Sequence, residues 1–294
     1  MKQLALYLIL GWLTFYLGCK NKREPADGLI PVGKLKIYYE RNGQGDPLLL
    51  LHAGLQDHNM WKSQVDVLSR QFEVITIDLP FHGATTGEDT TILASDVIKA
   101  VMDSLHLQKV SLAGLSMGAS VVQDFIIAYP AHVHKAILIA SGVNGFERDH
   151  PVDSVSMKWW GKFQQALEVK DTAAAAAEFT KAWAEGIYRA ADSLKAPVSQ
   201  YVYNTTLKNL RAHKMAGWPL LKSNPTAFDR LSSIKVPVLV IHGDKDLPYV
   251  SKACEYLEQA VPGAKRVLLN DVAHMLNMEK PRELNELIRN FLKE

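Results

Sequence analysis

The strand-like run Val110-Ser111-Leu112-Ala113 leads directly into Gly114-Leu115-Ser116-Met117-Gly118, and an amphipathic segment begins near Met117. Glycines two residues before and two residues after Ser116 permit a sharp turn from strand to helix, which leaves the serine exposed in a strained conformation. This arrangement is typical of a nucleophilic serine. Because a serine hydroxyl is a poor nucleophile at neutral pH, it needs a histidine as general base and an acid that orients this histidine.

Two later stretches offer partners for the serine. The run Val238–His242 ends in Gly243-Asp244-Lys245-Asp246, which supplies two acids, and His274 follows the last strand-like run. The chain order serine, acid, histidine is characteristic of α/β-hydrolases. At this point either aspartate is a candidate for the acid.

Outside these motifs, short apolar runs alternate with longer amphipathic segments, which predicts a parallel sheet with connecting helices. The strand candidates are 35–40, 47–51, 74–78, 109–113, 136–140, 238–242 and 265–269, and the helix candidates are 91–105, 117–129, 251–260 and 281–293. A glycine-containing turn at 42–45 separates the first two strand candidates, so we expect the sheet to open with antiparallel strands. No buried-strand run occurs over 146–228, and this segment predicts several helices inserted into the sheet domain.

From about Val32 to its end, the chain resembles the α/β-hydrolases of the esterase and lactonase type. The resemblance implies a mostly parallel eight-stranded sheet flanked by helices, a core formed by 32–145 and 229–294, and a helical lid over 146–228. It also implies that Ser116 is the nucleophile and His274 the base. Asp246 lies three residues after Gly243, where the acid of this family usually lies, so it is favoured over Asp244.

Acyl transfer passes through a tetrahedral oxyanion, which requires two hydrogen-bond donors. The resemblance assigns one donor to the backbone N–H of Met117, the residue after the nucleophile. The turn at 52–55 is similar to the His-Gly-x turn of the family, so the second donor is expected from Gly54, with Leu55 as the alternative. We expect His52 in this turn, and His82 in a later turn, to fix loops rather than to act as bases.

Composition excludes several classes of protein and site. The chain has 294 residues, 48% of them hydrophobic, which is enough to bury a core without disulfides or metals. Its 33 Lys and Arg nearly balance its 31 Asp and Glu, so no positive field favours nucleic acid. The ten histidines and two cysteines have no zinc-like spacing, and no nucleotide-binding loop is present, so neither a metal nor a cofactor is implied.

The predicted function is hydrolysis of small carboxylic esters or lactones through an acyl-enzyme. A serine nucleophile disfavours the dehalogenases and epoxide hydrolases of this fold, which attack with aspartate. Two alternatives stay open: a ligand-binding or receptor-like protein with slow turnover, and an amidase or iminopeptidase. The last would hold a substrate amine with acidic lid residues, for which the candidates are Glu168, Asp171, Glu178 and Glu185. The oligomeric state is not indicated by the sequence.

The first 18 residues read as a secretory signal peptide, because Lys2 precedes an uncharged apolar run. Tyr16-Leu17-Gly18-Cys19 resembles a bacterial lipobox, in which the cysteine is lipidated, and 19–31 is then a polar tether. This pattern predicts an exported lipoprotein, anchored to a membrane through Cys19 and facing the periplasm or the cell surface. An ordinary cleaved signal, an uncleaved N-terminal anchor and a buried N-terminal helix are the alternatives.

Overall fold

One eight-stranded sheet organises the described part of the chain, which in the computed structural model comprises residues 26–189, 196–213 and 223–294. The strands are β1 (Ala26–Val32), β2 (Leu35–Gly43), β3 (Asp46–Leu51), β4 (Phe72–Ile77), β5 (Val110–Leu115), β6 (Val133–Ile139), β7 (Val238–Gly243) and β8 (Lys265–Leu269). Their order in the sheet is β1-β2-β4-β3-β5-β6-β7-β8. The β1–β2 and β2–β4 pairs are antiparallel and the other pairs are parallel. The predicted mostly parallel eight-stranded sheet is therefore confirmed.

Helices cover this sheet and account for the burial of its central strands. They are α1 (Lys62–Leu68), α2 (Ala94–Ser104), α3 (Met117–Ala128), α4 (Ser154–Glu168), α5 (Thr172–Thr180), α6 (Ala196–Ala212), α7 (Pro248–Ala260), α8 (Leu276–Glu279) and α9 (Pro281–Lys293). Helix α3 packs on β3, β5 and β6, and α7 packs on β7 and β8. Every residue of β4, β5 and β7 is buried, as expected for strands that are covered on both faces.

The N-terminal edge of the sheet differs from the sequence prediction. Residues 26–31, which we assigned to a polar tether, belong to β1 and pair with β2. Ile30 and Val32 are buried, whereas Leu29, directly before them, is 50% exposed. An antiparallel edge strand buries only one face, so it needs an apolar side chain only at alternate positions, and its mixed composition resembles that of a tether. The predicted signal peptide and Cys19 lie outside the described residues.

The turn at 42–45 also has a different role from the one its composition suggests. It does not join two neighbouring strands, because β2 pairs with β1 and β4, while β3 lies between β4 and β5. Leu48, Leu49, Leu50 and Leu51 are fully buried in β3. A strand that is apolar on both faces needs cover on both faces, and the position of β3 inside the parallel part of the sheet, between β4 and β5, is typical of such a strand. The sheet does open with antiparallel strands, but these are β1 and β2.

A helical segment connects β6 to β7, as the lack of strand patterning predicts. It contains α4, α5, a single π-helical turn (Lys181–Glu185) and α6, and its described residues include no strand. Asp153 caps α4 by accepting from the N–H groups of Val155 and Ser156, and Asp171 caps α5. Helix α5 packs against both α4 and α6. Of the described helices, none combines the length and apolar character that crossing a membrane requires.

Candidate active site

Ser116 stands at the junction between β5 and α3. Its backbone has φ +55° and ψ −113°, a conformation that a residue with a side chain adopts only under strain. Two backbone hydrogen bonds hold it there: the Ser116 N–H donates to Ile139 O (2.8 Å), and its carbonyl accepts from the Ser120 N–H (3.0 Å). The serine is therefore presented by the backbone itself, at the carboxyl end of a central strand.

The two glycines around Ser116 are required by close backbone contacts. A Cβ atom on Gly114 would overlap the backbone of Gly118, the second residue of α3. A Cβ atom on Gly118 would overlap the carbonyl oxygen of Leu51 in β3. The two glycines are thus needed because α3 comes very close to β5 and β3 at this turn.

His274 and Asp246 form a buried hydrogen-bonded pair. The His274 Nδ1–H donates to Asp246 Oδ2 at 2.7 Å, and the two side chains are 2% and 0% exposed. Because an ionised carboxylate only accepts hydrogen bonds, this contact places the ring proton on Nδ1 and leaves Nε2 as the basic nitrogen. Asp244, the other acid, instead contacts Lys245 Nζ (3.0 Å) and accepts from the Val272 N–H (3.3 Å).

A cavity of about 290 Å³ brings the other predicted site residues together. Ser116, Met117, Gly54 and His274 all line it. The rest of its wall is mainly apolar and includes Val121, Trp160, Phe179, Trp183, Tyr249 and Val250. The structure therefore gathers the four residues at one cavity, with Asp246 behind His274.

The turn at 52–55 distinguishes between the two candidates for the second oxyanion donor. The Leu55 N–H donates to His82 Nε2 (3.0 Å), and the Ala53 N–H lies 3.2 Å from Met60 Sδ. Both of these donors are engaged within the loops, whereas Gly54 lines the cavity. On the opposite side, Met117 is the first residue of α3, where N–H groups have no acceptor within the helix and the helix dipole is positive.

Two buried histidines hold the loops beside the cavity. Burial, reinforced by nearby His52, lowers the pKa of His82 to about 3, so this ring is neutral. Its Nδ1–H donates to Pro80 O (2.9 Å), which leaves Nε2 free to accept from Leu55. The pKa of His52 is also lowered by burial; its Nδ1–H donates to Ala53 O (2.7 Å) and its Nε2 accepts from the Leu79 N–H (2.9 Å). These contacts agree with the expected loop-fixing role.

Comparison with known proteins identifies the family. Residues 46–281 match the family described as alpha/beta hydrolase fold. The chain belongs to the α/β-hydrolase fold family. This α/β-hydrolase is 28% identical to the carboxylesterase YbfK of Bacillus subtilis over 271 residues, which cover 88% of this chain and 84% of the relative. It is 24% identical over 257 residues, 84% of this chain and 96% of the relative, to the pimeloyl-[acyl-carrier protein] methyl ester esterase of Nitrosomonas europaea.

Solved structures agree with this assignment. An N-acyl homoserine lactone degrading enzyme superposes with a TM-score of 0.72 at 25% identity, covering 90% of this chain and 99% of that one. The enol-lactonase of Burkholderia xenovorans LB400 superposes with a TM-score of 0.69 at 22% identity, covering 90% and 98%. The family relatives are thus esterases, lactonases and other hydrolases.

Three contacts of this α/β-hydrolase site carry no signal in the sequence. Trp183, in the π-helical turn, lies over His274 with ring centroids 4.2 Å apart. Asn209 of α6 is buried and donates to the carbonyls of Leu55 (3.0 Å) and Gln56 (3.2 Å). Each joins the helical segment to a loop of the core, so only the tertiary structure reveals it.

The third contact supports the loop that carries the histidine. Glu279 of α8 accepts from the Ala273 N–H at 3.1 Å, directly before His274. Its other carboxylate oxygen lies 2.6 Å from Arg189 Nη1, and the two side chains are 0% and 3% exposed. A buried carboxylate is tolerated because the guanidinium compensates its charge.

Metal-ligating groups are not clustered in the described ranges, which contain no set of three or more His, Cys, Asp or Glu able to hold an ion.

Cys254 is buried in α7 and its Sγ–H is directed at Ser141 O (3.6 Å). Burial raises the pKa of this thiol, which makes it unreactive at neutral pH.

Proposed function

We propose that this α/β-hydrolase is a serine hydrolase that cleaves small carboxylic esters or lactones. The observation that carries the proposal is that Ser116 and His274 line one cavity while Asp246 holds His274 from behind at 2.7 Å. The lining of this cavity is mainly apolar, which suits the acyl group of such a substrate. The carboxylesterase and the lactone-degrading enzyme among the similar proteins support the same reaction class.

In the proposed mechanism, Ser116 Oγ attacks the carbonyl carbon while His274 Nε2 accepts its proton. Asp246 keeps the proton of the neutral ring on Nδ1 and stabilises the imidazolium that forms. The carbonyl oxygen becomes an oxyanion between the N–H groups of Gly54 and Met117. His274 then protonates the leaving alcohol oxygen as the C–O bond breaks, which leaves an acyl-enzyme. Water repeats the sequence with the same base, releasing the acid and restoring Ser116.

A fluorophosphonate probe tests the nucleophile directly, because it phosphonylates only an activated serine. We expect the wild type to be labelled, Ser116→Ala to remain unlabelled, and Ser111→Ala to be labelled like the wild type. Ser111 belongs to the same strand but lines a different cavity. Equal labelling of Ser116→Ala, or no labelling of folded wild type, would contradict the proposal.

Turnover distinguishes an enzyme from a receptor-like protein with the same fold. We expect multiple turnovers with p-nitrophenyl acetate and butyrate; a single burst of nitrophenol without further release would favour the receptor-like alternative. The amidase alternative has less support, since Glu168, Asp171, Glu178 and Glu185 are absent from the lining of the catalytic cavity. The acidic side chain that does line it, Asp124, accepts from Asn144 Nδ2 (3.1 Å) and Ser223 Oγ (2.8 Å).

We also propose that the protein is exported and anchored through lipid on Cys19. The support is the N-terminal sequence alone: an apolar run after Lys2 that ends in Gly18-Cys19. The Cys19→Ser protein should be lost from the membrane fraction, and its mobility on a gel should differ from that of the wild type. The Cys254→Ser protein should partition like the wild type. Membrane partition and unchanged mobility of Cys19→Ser would refute the lipid anchor.

A further inference from the structure

A second cavity, of about 420 Å³, lies next to the catalytic one. It is bounded by α4, by α6 and by the turns that contain Leu55 and Phe81. Phe163, Leu167 and Leu210 make most of its remaining wall apolar. The mechanism above uses neither this cavity nor the residues of α4 that line it.

The two cavities meet at one tryptophan and at the turn 52–55, which is called the oxyanion turn below. Trp160 lines both of them. Gly54 lines the catalytic cavity and its neighbour Leu55 lines the second one. The second cavity therefore adjoins the catalytic one at Leu55 and at the Trp160 indole.

The geometry of ester cleavage defines which part of the substrate points that way. The carbonyl oxygen must face Gly54 and Met117, and the leaving oxygen must face His274, which protonates it. Trp183 lies against His274 and bounds the leaving-group side. The side of the catalytic cavity at Trp160, which adjoins the second cavity, is then available to the acyl substituent.

The wall of the second cavity also indicates the chemistry of its ligand. Its described lining contains no Lys or Arg that would pair with a carboxylate at the end of a chain. The charged carboxylate in the wall, Glu168, would repel such an anion. The apolar surface is instead suited to methylene groups, each of which gains binding free energy when it leaves water.

We propose that this second cavity binds the tail of a straight, uncharged acyl chain longer than butyryl, and that Trp160 lies at its entrance. This inference rests on the proposed function and narrows its substrate class to alkanoyl esters or alkanoyl lactones. Each methylene that is buried should raise kcat/KM up to about fourfold, until the cavity is filled.

Leu167 offers a test, because it lines the second cavity but not the catalytic one. We expect the wild type to prefer p-nitrophenyl octanoate to the acetate. Leu167→Trp should narrow the cavity and obstruct the chain, which should lower the octanoate-to-acetate ratio of kcat/KM at least about tenfold. Leu167→Ala should leave room for a longer chain and shift the optimum upwards. The matched control is Gln165→Trp, an exposed position on the same helix that lines neither cavity, and it should keep the wild-type ratio.

Three results would overturn the proposal. One is a wild-type preference for acetate over octanoate, and another is an equal effect of Leu167→Trp on all chain lengths. The third is an effect that follows the alcohol chain in a series of alkyl acetates, because it would assign the cavity to the leaving group. Fluorophosphonate labelling and thermal unfolding of each variant exclude loss of folding as the cause.

A binding measurement separates this inference from the proposed function. Octanoate should bind to Ser116→Ala in a calorimetric titration, and the double variant Ser116→Ala/Leu167→Trp should bind it at least about tenfold more weakly. If the wild type neither reacts with the probe nor turns over esters, but this difference in binding is found, the hydrolase proposal fails and the chain-binding cavity stands. If esters are hydrolysed and octanoate binds both variants equally, the cavity proposal fails alone.

Discussion

His274 is oriented by one of two aspartates that lie two residues apart. Asp246 is completely buried, and its two oxygens accept from His274 Nδ1 and from the Leu247 N–H, both at 2.7 Å. Asp244 lies on the outer side of the same loop, where Lys245 neutralises it. Because water screens the charge of Asp244 but not that of buried Asp246, Asp246 is the carboxylate that can stabilise a protonated imidazole of His274.

At the residue scale, Asp246→Asn should reduce kcat for p-nitrophenyl butyrate by about 10³–10⁴, because an amide no longer enforces the Nδ1–H tautomer. The matched control is Asp244→Asn, which removes the neighbouring carboxylate and should change kcat less than about threefold. Circular dichroism and the melting temperature of both variants establish folding. Comparable losses in the two variants would argue against a specific role for Asp246.

At the scale of elements, the serine is positioned by the contact of α3 with β3 and β5. The strained backbone of Ser116 persists because β6 accepts its N–H and α3 begins directly after it. Gly118 permits this arrangement, since its missing side chain lets α3 contact the carbonyl oxygens at the end of β3. Ser116 is therefore placed by packing between elements as much as by its own loop.

Gly118→Ala tests this contact. The added methyl group would overlap Leu51 O, so α3 must shift, and we expect the free energy of unfolding to fall by about 1–3 kcal/mol and probe labelling of Ser116 to slow. Gly161→Ala is the control, because a Cβ atom at this exposed position of α4 meets nothing within 4 Å. It should raise the free energy of unfolding in urea by about 0.5–1 kcal/mol and leave labelling unchanged. A Gly118→Ala protein that labels at the wild-type rate would contradict the packing argument.

At the scale of the whole molecule, the helical segment and the sheet domain are joined at the site itself. Asn209 connects α6 to the oxyanion turn, Trp183 covers His274, and Arg189 pairs with Glu279 beside the histidine loop. The buried polar groups of Asn209 and Arg189 require partners, so both tie the stability of a loop beside the cavity to the stability of the fold.

Buried His82 makes this stability depend on pH. Its pKa is about 3 in the folded protein against an ordinary value of 6.5, so over this interval the unfolded chain binds a proton that the folded chain does not. The free energy of unfolding should therefore decrease as the pH falls from about 6.5 towards 3, by about 1.4 kcal/mol per pH unit for this one histidine.

Urea unfolding of His82→Gln between about pH 6 and pH 4 measures this contribution, because glutamine retains a hydrogen-bond acceptor but does not titrate. We expect the slope of stability against pH to be shallower than that of the wild type by about 1.4 kcal/mol per pH unit. His134→Gln, at an exposed position of β6, should keep the wild-type slope. Identical slopes for His82→Gln and the wild type would show that His82 is protonated in the folded state.

The sequence by itself determined three features: the mostly parallel sheet, the sharp strand-to-helix turn at Ser116, and the chain order of the candidate triad. All three follow from local patterns. Apolar runs specify buried strands, and paired glycines mark where backbones come close. The prediction of a polar tether was wrong for 26–31, which form part of β1, and the strand before the turn at 42–45 is not a neighbour of β3. Strand pairing depends on which faces of the sheet the rest of the chain covers.

Only the tertiary structure decided which aspartate meets His274 and which donor of the oxyanion turn is already engaged by His82. It alone brought Trp160 between two cavities and Trp183 over His274. These relations join residues far apart in the chain, and their free energy comes from burial and hydrogen bonding that exist only once the elements have packed.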